Sequence, residues 1–323
     1  MIDVSVIIPF LNEAENIGRL AEGLRGLVES NPEIRFEFLL VNDGSTDGSV
    51  AKVRASSFPA ETRLLSLSQN YGSHAALRAG IAEARGEQLT FLYADLQDPP
   101  ALVGRMHTLA REGFDIVWAT REATQTSAIE GALSRLYARL MQRFVDPRFP
   151  SRGFDVVLFT RRVQHELNTN VEGNSSIFLQ ILGLGFRQTS IGYRKEARAA
   201  GTSKWTLAKK LKLLIDSFVA FSYAPIRFVT LVGFAFFAVG IGWSVYISAR
   251  AVVYGDLAPG WPMLTSILLL GFGITNISLG ILAEYLWRTL DASRRRPVYI
   301  LESVEDVGRT DRSKRSAGES TGC

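Results

Sequence analysis

The sequence predicts an α/β domain with a mostly parallel, doubly wound sheet, followed by an amphipathic helix and two transmembrane helices. Two observations lead to this prediction. Short apolar runs alternate with helical patterns over residues 4–119, as expected when strands are buried on both faces by the helices that connect them. Two uncharged segments of membrane length then follow in the last third of the chain.

The N-terminal elements follow one another in a regular order. We predict strands at 4–9, 36–41, 63–67, 89–93 and 114–119, and helices at 13–30 and about 73–85. Polar residues follow the first four of these strands, namely Asn12 and Glu13, Asp43, Asn70, and Asp95. Ligands of open α/β sheets bind at the carboxyl ends of the strands. The sequence therefore predicts a binding site at this edge of the sheet.

Residues 204–221 form the predicted amphipathic helix. Apolar residues recur there at steps of three and four, at Leu207, Leu211, Leu214, Phe218 and Phe221. Lys209, Lys212 and Asp216 fall on the opposite face of such a helix. A basic amphipathic helix can lie in the plane of the lipid headgroups, or it can pack on a soluble core. Its position just before the membrane-length segments favours the interfacial location.

The two uncharged segments span residues 228–249 and 263–283. Each has about the 20 residues that a helix needs to cross a bilayer, although a buried helix of a soluble protein is the alternative. Basic residues flank the pair on the outside, at Arg227 and 294–296, which predicts that both termini are cytoplasmic. We expect a multi-pass protein of the cytoplasmic membrane. Its parts would be a domain at 1–200, an interfacial region at 201–226, membrane helices within 227–290, and a tail at 291–323 that is disordered from about residue 304.

The composition narrows the class of protein further. Of the 323 residues, 47% are hydrophobic and 21% are charged, with a formal net charge of +4. This balance fits a domain joined to membrane segments. The total charge is modest and says little about nucleic acid, and we expect no nucleic-acid partner. The single cysteine, Cys323, excludes a disulfide framework and a cysteine-ligated metal site. Residues 1–10 lack the basic region of a signal peptide, so we expect the N-terminal domain in the cytoplasm.

Asp95 follows the apolar run 89–93 after one intervening residue, Ala94. A carboxylate at the end of a buried strand can hold a hard divalent cation, which in turn binds the phosphates of a nucleotide. The alternative is a helix N-cap before Pro99. A phosphate site in a chain with membrane segments suggests a reaction with one soluble and one lipid partner.

Four motifs carry a resemblance to a known family. They are Pro-Phe-Leu-Asn-Glu at 9–13, Asn-Asp-Gly-Ser-Thr-Asp at 42–47, Asn-Tyr-Gly at 70–72 and Ala-Asp-Leu-Gln-Asp-Pro-Pro at 94–100. In this order, and with the membrane segments behind them, they resemble the family 2 glycosyltransferases of the GT-A fold. More narrowly, residues 1 to about 290 are similar to the polyprenyl-phosphate glycosyltransferases, relatives of dolichol-phosphate mannose synthase.

The resemblance implies a nucleotide site and a metal site. The nucleotide of the donor would contact Pro9, Asn12, Glu13, Asp43 and Asn70, with Asp43 bonded to the base. Asp95 would act as the catalytic metal ligand and Gln97 would support it, holding Mg²⁺ or Mn²⁺ against the diphosphate. Tyr93 departs from the pattern, because many relatives have an aspartate there.

The resemblance also implies an acceptor site. Arg121, Ser134, Arg135 and Lys204 correspond to the region that receives the acceptor phosphate, and arginine suits this task because its planar fork grips phosphate oxygens. A solvated basic helix is the alternative for Arg135. Asp155 would lie near the anomeric carbon as a second catalytic residue, or it would have a structural role in a turn.

We therefore expect an inverting transferase that moves a hexose from a nucleotide-diphosphate sugar to polyprenyl phosphate. UDP-glucose is the first candidate donor, followed by GDP-mannose and UDP-N-acetylglucosamine. One alternative is a processive polysaccharide synthase, whose Gln-x-x-Arg-Trp motif is absent here. Another is a non-catalytic, membrane-tethered nucleotide-sugar-binding protein, which Tyr93 favours. The sequence leaves open whether the protein forms a homo-oligomer.

Overall fold

The computed structural model describes residues 1–121, 135, 137–143, 146–150, 154–171, 176–193, 260–294 and 297–307, with isolated positions between 231 and 253. The chain separates into two compact units. One holds the sheet and includes residues 297–307, and the other includes the long helix near the C-terminus.

The first part of the sheet unit alternates strands with helices. Its elements are β1 (Val4–Phe10), α1 (Ile17–Glu29), β2 (Phe36–Asn42), α2 (Ser49–Ala55), β3 (Glu61–Leu67), α3 (Ser73–Glu83), β4 (Gln88–Phe91) and α4 (Leu102–Arg111). The next elements are β5 (Ile116–Arg121), β6 (Phe154–Thr160), α5 (Arg161–Thr169), α6 (Ile177–Gly183) and β7 (Gln188–Tyr193). The last are α7 (Trp261–Arg294), which belongs to the second unit, and β8 (Leu301–Val307), which returns to the sheet.

The described residues form an eight-stranded sheet in the order β7-β5-β6-β4-β1-β2-β3-β8. The four neighbouring strands β4, β1, β2 and β3 are parallel, and β5 is parallel to β7. β6 is antiparallel to both β4 and β5, and β8 is antiparallel to β3. The predicted mostly parallel α/β sheet is therefore confirmed.

The sheet is covered on both faces, as its apolar strands require. Strands β1 and β2 are buried along their whole lengths. On one face, α1 contributes a stripe of buried side chains at helical spacing, namely Ile17, Leu20, Ala21, Leu24 and Leu27. On the other face Ile7 of β1 contacts Gly80 of α3 so closely that a β-carbon at position 80 would clash with it.

Several predicted boundaries differ from the structure by two residues or more. Strand β3 begins at Glu61 rather than residue 63, α3 ends at Glu83 rather than about residue 85, and β5 spans Ile116–Arg121 rather than 114–119. The first helix begins at Ile17 rather than residue 13, because the chain turns at Asn12, which has a φ of 53°. Strand β4 ends at Phe91, two residues before the predicted end.

Strand β8 contradicts the prediction of disorder for residues 304–307, and residues 308–323 lie outside the described residues. Strand β8 pairs with β3 from Leu301 to Val307. Glu305 of this strand also accepts two hydrogen bonds from the guanidinium of Arg54 on α2, at 2.9 and 2.7 Å. Residues 301–307 therefore form an edge strand, which the charged residues of this segment do not suggest.

The predicted membrane elements are not confirmed. Within the described part of the chain, no helix combines the length and the apolar character that a membrane crossing requires. Most of 228–249 and all of the predicted interfacial helix at 204–221 lie outside the described residues, and 263–283 falls within α7.

Candidate active site

The loops that follow β1 and β2 are joined by hydrogen bonds through Asn12. Its side-chain Oδ1 accepts from the backbone N–H of Thr46 at 2.9 Å and of Asp47 at 3.4 Å. Its own N–H donates to Oγ of Ser45 at 3.0 Å. The positive φ of Asn12 is a conformation that asparagine tolerates better than most residues. Asn12 thus fixes the first two strand-end loops relative to each other.

Glu13 and Pro9 lie beside this junction. The N–H of Glu13 donates to Oγ of Ser49 at 2.9 Å, and its carboxylate accepts from Nδ2 of Asn16 at 2.6 Å. Pro9 is buried within β1, in register with Val41. Glu13 is therefore oriented by two bonds at the carboxyl end of β1.

Asp43 connects the loop after β2 to the loop after β3. Its N–H donates to the carbonyl of Phe10 at 3.0 Å. Its carboxylate accepts from the N–H of Tyr71 at 2.8 Å and of Gly72 at 3.0 Å. Asp43 is only 4% exposed. Burial raises the pKa of its carboxyl group, and the two N–H donors oppose that rise.

Asn70 lies in the same loop, where close approach of two backbones requires a glycine. Gly44 has a φ of 72°, and a β-carbon there would come within 2.6 Å of the backbone nitrogen of Asn70. Only glycine adopts this conformation at low cost. Asn70 itself is exposed, and its Oδ1 accepts from the N–H of Gly72 at 3.1 Å.

Asp95 and Gln97 lie in the loop that follows β4. Both are half-buried, and Oδ1 of Asp95 accepts from the N–H of Gln97 at 3.3 Å. Leu96 between them has a φ of 51°. Among the described residues no group of three or more histidine, cysteine or acidic side chains is arranged to hold a metal. The loop therefore fits an oxygen-ligated cation only if substrate phosphates and water supply most of the ligands.

The predicted acceptor residues are placed in part. Arg121 ends β5, and Asp155 is the second residue of β6. Because β6 is antiparallel to β5, with Thr120 opposite Phe154, both residues lie at the same edge of the sheet. Arg135 is helical and exposed, whereas Ser134 and Lys204 lie outside the described residues.

Two residues beside the site were not among the predicted ones. Asp98 is 2% exposed and accepts a hydrogen bond from the hydroxyl of Tyr193 at 2.5 Å. His74 lies in the first turn of α3 and forms a T-shaped contact with Phe178, and its buried Nδ1 has no hydrogen-bond partner among the described residues. Burial and the nearby Arg78 lower the pKa of His74. Asp98 belongs to the motif at 94–100, but no sequence pattern indicates its bond to Tyr193.

The chain shows clear similarity to known proteins. The family model described as glycosyl transferase family 2 matches residues 5–179. An uncharacterised glycosyltransferase of Bacillus subtilis, YkcC, is 30% identical over 93% of this chain and 94% of its own length. An undecaprenyl-phosphate 4-deoxy-4-formamido-L-arabinose transferase of Yersinia pestis is 28% identical over 96% of both chains.

Solved structures give a weaker match. Glucosyl-3-phosphoglycerate synthase from Mycobacterium tuberculosis is 16% identical, with a TM-score of 0.48 over 67% of this chain and 77% of that one. The family assignment therefore depends on the sequence matches together with the strand-end loops described above. This chain belongs to glycosyl transferase family 2 and is a glycosyltransferase.

Proposed function

We propose that the protein transfers a hexose, with inversion, from a nucleotide-diphosphate sugar to a polyprenyl phosphate. One observation carries the donor half of this proposal. The loops after β1, β2 and β3 are held together by the hydrogen bonds of Asn12 and Asp43. The loop with Asp95 follows β4 at the same edge of the sheet. Ligand sites of α/β sheets lie at such an edge.

The nucleotide would bind where the first three loops meet. The carboxylate of Asp43 has lone pairs beyond those that accept from the Tyr71 and Gly72 N–H groups, so it can also accept an N–H of the base. Exposed Asn70 offers an amide to the ribose or base from the next loop. Glu13, oriented by Ser49 and Asn16, completes the pocket.

Asp95, with Gln97 in support, would hold Mg²⁺ or Mn²⁺ through carboxylate and amide oxygens. Such a cation, when bound, stabilises the negative charge that develops on the departing nucleotide. The single carboxylate of Asp95 and the absence of a three-residue cluster in the described part of the chain agree with a cation bound mainly through the diphosphate. Tyr93, half-buried before this loop, supplies no carboxylate.

The acceptor would approach from the β5–β6 side. A phosphate monoester loses its second proton with a pKa of about 6, so the lipid phosphate needs no general base at neutral pH. Arg121 and Arg135, with Ser134 and Lys204, would bind its oxygens, and Asp155 would orient the acceptor or the sugar. In-line attack on the anomeric carbon then gives a polyprenyl-phosphate sugar of inverted configuration.

A lipid acceptor is supported by two further observations. The Yersinia relative is named for transfer to undecaprenyl phosphate. Helix α7 carries large apolar side chains that are exposed, including Leu264, Leu268, Leu279, Leu282 and Leu286. Exposed apolar surface of this kind marks contact with a membrane or with another protein. We therefore place the protein at the cytoplasmic membrane, with the sheet unit in the cytoplasm beside the nucleotide sugars.

The sugar is the least constrained part of the proposal. UDP-glucose remains the first candidate donor, with GDP-mannose and UDP-N-acetylglucosamine next. The shape of the pocket, rather than the motifs, selects the sugar.

The test uses the full chain in detergent with undecaprenyl phosphate and Mn²⁺ or Mg²⁺. Radiolabelled UDP- and GDP-sugars are added one at a time, and the organic phase is counted. We expect one donor to label an acid-labile lipid that carries a single sugar. Asp95→Asn should lower turnover about 100-fold or more, because a ligand to the charge-stabilising cation is lost.

The matched control is Asp306→Asn, which alters an exposed carboxylate on β8. Near-normal turnover by the Asp95 variant would refute the metal assignment. A polymeric product would favour the processive synthase. Nucleotide binding without transfer from any donor would favour the non-catalytic binding protein. Tyr93, in place of the aspartate of many relatives, would then be the residue that explains the lack of activity.

A further inference from the structure

A buried hydrogen bond joins two parts of the site that lie far apart in sequence. Asp98, in the loop after β4, accepts from the hydroxyl of Tyr193 at 2.5 Å. Asp98 is 2% exposed and Tyr193 is 4% exposed. Burial of a carboxylate is costly unless it is hydrogen-bonded, and short O–H···O⁻ bonds are among the strongest in proteins.

The two ends of this bond belong to different halves of the proposed site. Asp98 directly follows Gln97 in the loop that carries Asp95. Tyr193 is the last residue of β7 and is in register with Arg121 at the end of β5. The bond therefore links the donor-side loop to the strand ends that carry the predicted acceptor residue.

Tyr193 can hold this loop in place because its own side chain is packed in the core. Its ring packs into a buried cluster with Leu102 and Met106 of α4 and Val117 of β5. Two hydrogen bonds within the loop join near neighbours in sequence. The N–H of Leu96 donates to the Tyr93 carbonyl at 3.1 Å, and the N–H of Gln97 reaches Asp95 at 3.3 Å. These two bonds shape the loop, whereas the bond from Tyr193 joins it to the end of β7.

We propose that Asp98 and Tyr193 are positioning residues, which hold the Asp95 loop at the correct place relative to the acceptor side of the site. This inference deepens the proposed function and rests on it. Neither residue touches a substrate in this scheme. Their bond sets where the Asp95 carboxylate lies relative to Arg121, and therefore where the metal-bound diphosphate lies relative to the acceptor phosphate.

The test compares Tyr193→Phe with the wild-type full chain in detergent. UDP binding is measured by calorimetry with and without MnCl₂, and transfer is measured against Mn²⁺ and undecaprenyl phosphate concentrations. We expect the gain in UDP affinity on adding Mn²⁺ to fall about tenfold, and the KM for the lipid to rise about tenfold. UDP affinity without metal should stay within about twofold, because Asp43 and Asn70 are not disturbed.

Variants of Asp98 separate positioning from general stability. Asp98→Asn keeps an oxygen that accepts from Tyr193 and should retain most of the wild-type behaviour. Asp98→Ala should resemble Tyr193→Phe, and combining the two should add little further loss, as expected for one shared interaction. Ser5→Ala is the matched control, because it removes a buried hydroxyl–carboxylate bond, to Glu37 at 2.6 Å, near the amino end of β1 and away from the site.

Two results would overturn the inference. In one, Tyr193→Phe keeps both the wild-type gain in UDP affinity on adding Mn²⁺ and the wild-type KM for the lipid. In the other, metal-free UDP affinity falls as much as metal-dependent affinity, which indicates a general loss of structure. A wild-type protein that transfers no sugar would count against the proposed function instead. The effect of Tyr193→Phe on the gain in UDP affinity with Mn²⁺, measured by calorimetry, would still decide the role of Asp98 and Tyr193.

Discussion

The replacement Asp43→Asn tests whether the loop after β3 and the nucleotide depend on the same carboxylate. Asp43 accepts from the N–H of Tyr71 at 2.8 Å and of Gly72 at 3.0 Å. A hydrogen bond to a charged group contributes about 1.5–3 kcal/mol, against about 0.5–1.5 kcal/mol between neutral groups. The Gly72 N–H also lies 3.2 Å from the oxygen that accepts from Tyr71. Asparagine keeps one acceptor oxygen and turns an N–H towards the other position, so the bonds to the remaining oxygen weaken and the 3.0 Å bond of Gly72 is lost.

Relief from charge burial offsets part of this cost. Burial raises the pKa of Asp43, which shows that its surroundings penalise the charged form more than the two N–H donors stabilise it. We therefore expect a net loss of about 1–2 kcal/mol in stability. The loop at residues 70–72 should move, and the acceptor for the base should weaken. UDP affinity should fall at least about tenfold, equivalent to about 1.4 kcal/mol.

The assay is calorimetry with UDP, accompanied by thermal denaturation of the same samples. Asp306→Asn is the matched control, because Asp306 is an exposed carboxylate on β8, away from the loops of the nucleotide site. An Asp43→Asn protein that loses thermal stability but binds UDP within about twofold of wild type would refute the reasoning, because Asp43 would then only shape the turn.

Two further predictions concern buried ionisable groups. Glu37 is fully buried against Arg63, with 2.7 Å between Oε1 and Nη2. Glu37→Ala should cost about 3–5 kcal/mol, because it removes the buried partner of Arg63 and leaves it with Glu83, whose carboxylate is 3.4 Å away and 38% exposed. Glu37→Leu with Arg63→Met should recover most of this loss. Equal losses in the single and double variants, measured by denaturant unfolding, would contradict this. His74 has a lowered pKa, so the unfolded chain binds its proton more tightly and stability falls as the pH drops below the usual value of 6.5. His74→Gln should therefore make Tm fall less steeply between about pH 7.5 and 5.5. Part of the fall should remain, because His107, whose pKa is also lowered, is present in both proteins. An equal dependence of Tm on pH in the variant and the wild type would exclude His74 as a cause.

Local patterns were enough to predict the parallel part of the sheet. Strands buried on both faces need continuous apolar runs, and β1 and β2 show them without interruption. The edge at which Asn12, Asp43 and Asp95 lie followed from the same reasoning, because parallel strands bring their carboxyl ends together. The roles assigned to these residues came from the family resemblance and stay predictions.

Strand β8 could not be predicted in the same way. Its sequence contains Glu302, Glu305 and Asp306 and reads as a polar tail. It becomes a strand because β3 offers an unpaired edge and Arg54 offers a bidentate partner to Glu305. Strand β6 is a similar case, since only its pairing with β4 and β5 shows that it runs antiparallel and brings Asp155 to the site edge.

The sequence by itself determined the α/β class, the family and the residues that follow each strand, because these depend on short-range patterns. Only the tertiary structure decided which of these residues meet. The bond of Asp43 to the Tyr71 and Gly72 loop, and that of Asp98 to Tyr193, depend on strand order and register. Those are properties of the whole sheet, since each hydrogen bond joins segments that come together only when the sheet has formed.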